Sequence, residues 1–291
     1  MRRRGFIHGI AACAAWPLAA RAQQAAGPRR VGMLLNLSEN DPEAHRLTTA
    51  FHEGLAQLGW ADGRNLRIDY RWAGGDVGRI RAFAKELVEL SASLAHPGGN
   101  ITGFAVFEIS LGAKWLEALK QIAPDLKRVT TIFNPETAPY YRLYLRAIET
   151  AAASGALEPM VAEVHDDTEI EAKISDLART SNSGLIAMPD TFNLIHRHTI
   201  ISLANRYRLP AIYYFPLFTT DGGLISYGPD EIDMFRRSAG YVDRILRGER
   251  AGDVPVQQPT NYRLVINLKT AKALSIEIPT SLLTRADEVI E

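Results

Sequence analysis

The side chains able to do chemistry are thinly spread: seven histidines, one cysteine and 33 carboxylates in 291 residues. His45 and His52 are seven apart, a spacing that shares one helix face, yet no third metal-ligating residue stands nearby. His196 and His198 flank Arg197 shortly after Asp190. On a helix, residues two apart point about 200° from each other, which works against joint chelation. Asp190 with His196 or His198 as acid and base is the one enzymatic arrangement that remains. Asp166-Asp167 reads as the start of a helix, where carboxylates complement the dipole. Cys13 stands alone, which excludes an intramolecular disulfide and any multi-thiolate metal site. No G-x-G-x-x-G follows the first apolar run, and neither G-x-x-x-x-G-K-[ST] nor G-x-S-x-G occurs, so nucleotide binding and an α/β-hydrolase nucleophile lose their usual supports. No metal or organic cofactor is expected.

A second set of residues speaks for binding rather than catalysis. Tyr140, Tyr141, Phe192, Phe215, Phe218 and Tyr227 fall in or beside polar, turn-rich segments. Such rings can sandwich an apolar or aromatic solute while Asn134, Asp190 and backbone N–H groups fix its polar end.

The elements that position these residues follow from hydrophobic periodicity. Arg30 to Leu37 is a short apolar run ending in polar residues, as a buried parallel strand does. Ala44, Leu47, Phe51, Leu55 and Leu58 recur at helical spacing behind Asp41-Pro42, an N-cap followed by proline in the first turn. Strands are expected at 66–72, 101–107, 129–133, 159–164, 185–188, 210–215 and 224–227. Helices are expected between them, over residues 80–90, 111–122, 141–148, 170–177 and 199–206, and after them over 235–246. Strand–helix alternation of this kind builds parallel sheets covered on both faces, with ligands beyond the carboxyl ends of the strands. The segments to inspect are therefore 37–40, 134–140, 189–193 and 215–223.

The first 22 residues read differently. They carry Arg2, Arg3, Arg4 and Arg21 with no acid before Glu39, a mostly apolar Phe6 to Ala20 stretch, and the small-x-small sequence Ala20-Arg21-Ala22. That is an export signal with cleavage expected after Ala22. Arg3-Arg4-Gly5-Phe6-Ile7 also fits a twin-arginine address, and Ile10-Ala11-Ala12-Cys13 has the outline of a lipoprotein cut. The 33 basic and 33 acidic residues of the whole chain balance, which gives no electrostatic reason for nucleic-acid binding.

Several segments together carry a resemblance to a known family. They are Trp16 to Gln24, His96-Pro97-Gly98-Gly99-Asn100-Ile101-Thr102-Gly103, Ser226-Tyr227-Gly228, Val256 to Thr260, Ile266 to Leu274 and the closing Pro279 to Glu291. The chain resembles the periplasmic substrate-binding proteins of ABC transporters, in the tryptophan/tyrosine-binding-like group, with the type I periplasmic-binding-protein fold. The resemblance implies an α/β protein of two Rossmann-like lobes with parallel sheets. Lobe 1 would be 23–104 with 229–250, and lobe 2 would be 105–228 with 251–291. Crossovers would lie near 103–107, 224–227 and 252–256. It further implies a monomeric, non-enzymatic periplasmic receptor that takes a small solute, an amino acid or small aromatic or branched carboxylate, to an inner-membrane permease. Ligand contacts carried over by position are Asn36, Ser38, Asn134, Tyr140, Asp190, Phe215 and Tyr227. Relatives have a further βαβ unit between the second helix and the Pro-Gly-Gly-Asn turn, so lobe 1 is expected to be truncated near residues 90–94, and a binding-defective remnant of the receptor stands as an alternative beside the exported enzyme.

Overall fold

In the computed structural model, residues 28–76, 78–80, 82–84, 86, 102–104 and 108–291 are described. The expected signal at 1–22, Cys13 and the expected truncation near 90–94 lie outside them.

The chain opens with β1 (Arg29–Leu35), α1 (Pro42–Gln57) and β2 (Leu66–Trp72). β1 and β2 pair in parallel, Arg29 opposite Leu66 and Leu35 opposite Trp72. The Asp41 carboxylate accepts the Glu43 N–H at 2.9 Å and Pro42 occupies the first turn, as the sequence demands of this helix start. Ala44, Leu47, Phe51 and Leu55 are buried along one face.

A seven-stranded sheet follows. Its elements are α2 (Leu111–Ile122), β3 (Arg128–Phe133), α3 (Tyr141–Ser154), β4 (Glu158–Glu163), α4 (Asp167–Ala178), β5 (Ser183–Ala187), α5 (Thr191–Ile195), α6 (Arg197–Arg206), β6 (Ala211–Tyr213), α7 (Pro216–Thr220) and β7 (Ile225–Pro229). Then come α8 (Glu231–Leu246), β8 (Tyr262–Asn267), α9 (Leu268–Leu274), α10 (Thr280–Leu283) and β9 (Glu288–Ile290). The strand order is β4-β3-β5-β6-β7-β8-β9. Central strands sort their side chains by the period of two: Ile186 and Ile212 pack with Trp115, Tyr144 and Ile148 on one face. Leu185, Ala187, Ala211 and Tyr213 pack with Ile170, Ile174 and Ile200 on the other.

α8 leaves this sheet and lies across α1, with Ala239 buried against Phe51 and Leu55. The approach is close enough that a Cβ on Gly54 would stand 2.5 Å from the Arg236 carbonyl oxygen. The connections between the two sheets run side by side: Gln257 N–H donates to the Gly103 carbonyl at 2.9 Å and the Thr102 hydroxyl to the Val254 carbonyl at 2.6 Å.

Of the strand expected at 101–107, residues 101 and 105–107 lie outside the described residues, and Phe104 bridges to Gln257. Three expectations need correction. The strand expected at 210–215 stops at Tyr213, because Phe215 and Pro216 start α7. The crossing placed near 224–227 falls on β7 and its approach, and the chain leaves the sheet only after Pro229. Finally, β8 is antiparallel to β7, Pro229 pairing with Tyr262. The excursion through α8 returns to the same end of the sheet, so the strand that follows must run the opposite way.

Candidate functional site

The carboxyl ends of β1, β3, β5 and β6 point toward one another across the gap between the two sheets, where ligands of open α/β sheets sit. A cavity of about 360 Å³ lies there, drawn from both sides. Leu35, Asn36 and Leu37 following β1, Glu43 and Leu47 of α1, and Ile80 form one wall. Tyr140, Pro189, Asp190, Thr191, Tyr214 and Phe215 form the opposite wall, and Glu231 and Phe235 of α8 close it.

Each polar group of this lining has a structural origin. Asp190 caps α5, accepting the Phe192 N–H at 3.0 Å. It also accepts the Asn134 N–H at 2.8 Å and the Thr137 hydroxyl at 2.5 Å, so the carboxylate ties the turn after β3 to the turn after β5. Burial pushes its pKa up, and the Thr137 and backbone donors partly offset this. The Tyr140 hydroxyl donates to the Pro189 carbonyl at 2.5 Å, and burial raises its pKa. Tyr214 is raised for the same reason.

Contacts across the gap join the walls. The Asn36 amide donates to the Thr191 hydroxyl at 3.4 Å. Gly75, at φ 78°, sits so close to Ile195 that a Cβ would overlap its side chain. Arg197 donates to Asp221 at 2.7 Å and to the Leu194 carbonyl at 3.1 Å, and reaches Asp41 at 3.5 Å from the other side.

Two carboxylates complete the lining. Glu43 pairs with Arg46 at 3.0 Å, and burial nonetheless raises its pKa. Glu231, in the first turn of α8, is half-buried, and its pKa is pushed up to about 8 by burial, with the Glu43 and Asp230 carboxylates adding to the effect.

Of the residues singled out from sequence, Asn36, Tyr140, Asp190 and Phe215 line this cavity. Ser38 is exposed beside it. Asn134 is buried beneath, donating its N–H to Asp190 and accepting the Glu136 N–H. Tyr227 lies elsewhere, its ring 6.0 Å from Tyr262 and its carbonyl accepting the Trp115 indole N–H. Glu43, Tyr214, Glu231 and Phe235 were not anticipated. The two glutamates carried a signal, Asp-Pro-Glu and Asp-Glu at helix starts, but such acids ordinarily serve the dipole.

The acid–base arrangement of Asp190 with His196 or His198 does not assemble. His196 pairs with Asp167 at 2.9 Å and His198 lies 3.7 Å from Asp221, while Asp190 is committed to backbone and Thr137 donors. His52 contacts the Tyr70 hydroxyl and His45 is exposed. Among the described residues, no group of three His, Cys, Asp or Glu could hold a metal, and no helix is long and apolar enough to cross a membrane.

Comparisons with known proteins give this geometry a context. A tyrosine-binding protein of Clostridioides difficile (strain R20291) is 22% identical over 275 residues, covering 81% of this chain and 78% of that protein. A conserved domain protein of Vibrio cholerae O1 biovar El Tor superposes with a TM-score of 0.76 at 23% identity, covering 90% of this chain and 99% of the other. A Streptococcus pneumoniae ABC domain solved in complex with L-Trp superposes with a TM-score of 0.72 at 19% identity, covering 89% and 99%. The fold they share is the type I periplasmic-binding-protein arrangement of two Rossmann-like lobes. The homologues whose names say what they bind are substrate-binding proteins rather than enzymes. The family described as ABC transporter substrate binding protein matches residues 88–290, and to that family the chain belongs.

Proposed function

We propose that this chain is the periplasmic receptor of an ABC importer and closes two lobes, 23–104 with 229–250 and 105–228 with 251–291, on one small solute. The observation that carries the reading is the cavity of about 360 Å³ whose walls come from the strand ends of both sheets. That volume suits a single compact ligand. Phe215, Tyr214, Tyr140 and Phe235 surround it with ring surface, which favours a solute with an aromatic or branched apolar body, such as an amino acid. The relatives named for tyrosine and crystallised with L-Trp support this class.

Function then follows from geometry. A solute entering between the lobes is touched by both, so it binds the closed form more tightly than the open one and shifts the population toward closure. The closed form is what an inner-membrane permease reads. The basic, acid-free stretch at residues 1–22 supports delivery to the periplasm by a twin-arginine or general export signal, with release after Ala22 as a monomer.

A thermal-shift screen of the chain from Gln23 against amino acids, aromatic carboxylates, sugars and nucleosides tests this. A ligand at 100 times its Kd adds about 2.7 kcal/mol of stability. For a protein of this size that is a rise in Tm of roughly 5–10 °C. A cooperative transition that no class of solute moves would overturn the receptor reading.

A further inference from the structure

The lining of the cavity has an imbalance of charge. Asp190 is satisfied by Asn134, Thr137 and Phe192, and Tyr140 gives its proton to Pro189. Glu43 holds Arg46. Glu231 has no hydrogen bond or ion pair among the described residues, and no described residue of the lining is Lys, Arg or His. A carboxylate facing a largely apolar space without a counter-ion holds its proton while the space is empty, and ionises there only when something entering supplies a cation. A second carboxylate on the facing helix makes the space still less hospitable to an anion.

We propose that the solute carries a protonated amine on its apolar or aromatic body, with the Glu231 carboxylate as the amine's direct partner and Glu43 adding negative potential from the adjoining helix α1. The inference rests on the cleft being a solute site, as proposed above. It selects within the expected class: the amine is the required group, and a lone carboxylate on the same apolar body is rejected.

The consequence is a proton coupled to binding. The titratable groups around Glu231 are Glu43 on α1, Asp230 at its own helix start and the Tyr214 hydroxyl, while Arg46 and Arg263 act on Glu43. With a pKa of about 8 in the empty cleft, only about one-tenth of Glu231 is ionised at pH 7. An ammonium ion demands the ionised form, so each amine bound at pH 7 releases about nine-tenths of a proton. Affinity therefore rises nearly tenfold between about pH 6 and pH 7, and levels off above about pH 8.

The test measures binding of the full chain by calorimetry to tyramine and tryptamine, to L-tyrosine and L-tryptophan, and to 4-hydroxyphenylacetate and indole-3-acetate. Buffers of different ionisation enthalpy count the protons. The amine-bearing probes are expected to bind at least about 30-fold more tightly than the des-amino acids, with the stated proton release. Glu231→Gln, which copies the neutral form present at pH 7, is expected to bind amines at least about 10-fold more weakly and without pH dependence. Binding of the des-amino acids as tight as that of the amines would overturn the inference while leaving the receptor reading intact. So would amine binding without proton release, or amine affinity unchanged in Glu231→Gln with a native melting transition. If none of the probes binds, and sugars and nucleosides also fail, both readings fall together.

Discussion

Two glycines on facing helices should respond to the same substitution with opposite signs. Gly54 lies at the crossing of α1 and α8, where an added Cβ would sit 2.5 Å from the Arg236 carbonyl oxygen and 2.8 Å from the Ala239 Cβ. Neither neighbour is a flexible side-chain end, so relief requires the helices to part. Gly240, a helical residue of α8, has open space around the position of its missing Cβ. Alanine in place of glycine ordinarily stabilises a helix interior by about 1 kcal/mol. Gly240→Ala should show most of that gain. At Gly54 the gain is opposed by overpacking, and an approach this close to a backbone oxygen and a Cβ puts the cost at the upper end of the usual range, about 2–3 kcal/mol. We expect Gly54→Ala to lose about 1–2 kcal/mol net, a fall in Tm of roughly 2–8 °C. Urea and thermal unfolding of the two variants, run beside the parent chain, decide the point. Because Glu43 and Glu231 stand at the starts of these helices, Gly54→Ala should also weaken solute binding and Gly240→Ala should not. Gly54→Ala matching or exceeding the parent's stability would refute the packing argument.

Arg197 is a strap between the walls of the cleft, its side chain 12% exposed between Asp41 and Asp221. Its removal in Arg197→Ala leaves two partly buried carboxylates without their cation and should cost about 2–3 kcal/mol in urea unfolding. Arg197→Lys keeps the charge but not the fork and should recover only part of the loss; a loss under about 0.5 kcal/mol in the alanine variant would dismiss the strap. Stability should also fall with rising pH. Between the ordinary carboxylate range and about pH 8 the folded chain keeps a proton on Glu231 that the unfolded chain releases, so the empty protein loses up to about 1.4 kcal/mol per pH unit across that window. Urea midpoints at pH 5, 6.5 and 8 should show the decline in the parent and a flatter profile in Glu231→Gln; parallel profiles would count against the raised pKa.

How far the sequence reveals this molecule depends on the range of the interactions that decide each feature. α1 and β2 are legible almost to the residue, because an N-cap, a first-turn proline and a hydrophobic repeat are local instructions. β6 reads too long because the apolar run Ala211 to Phe215 continues past the point where Pro216 turns the chain into α7. The antiparallel β8 is not legible at all, since its direction is set by where a 32-residue excursion from Asp230 to Asn261 delivers the chain.

The same division runs through the site. Asn36, Tyr140, Asp190 and Phe215 were reachable because strand ends are where open sheets gather ligands. Tyr227 lies on a strand of the same sheet but packs toward Tyr262 and Lys114, and only the sheet's layering determines to which side it turns. Glu43 and Glu231 are the opposite case. Each is locally explained as an acid at a helix start, and that explanation is sufficient until the helices are seen to converge. Asp41 and Asp230, two and one residues before them in the chain, already cap those helices through their own carboxylates. The glutamates are therefore free of the capping role, and it is the crossing of α1 and α8 at Gly54 and Ala239 that sets both helix starts beside one cavity. A pair of residues that is ordinary on each helix acquires its electrostatic character only from that crossing.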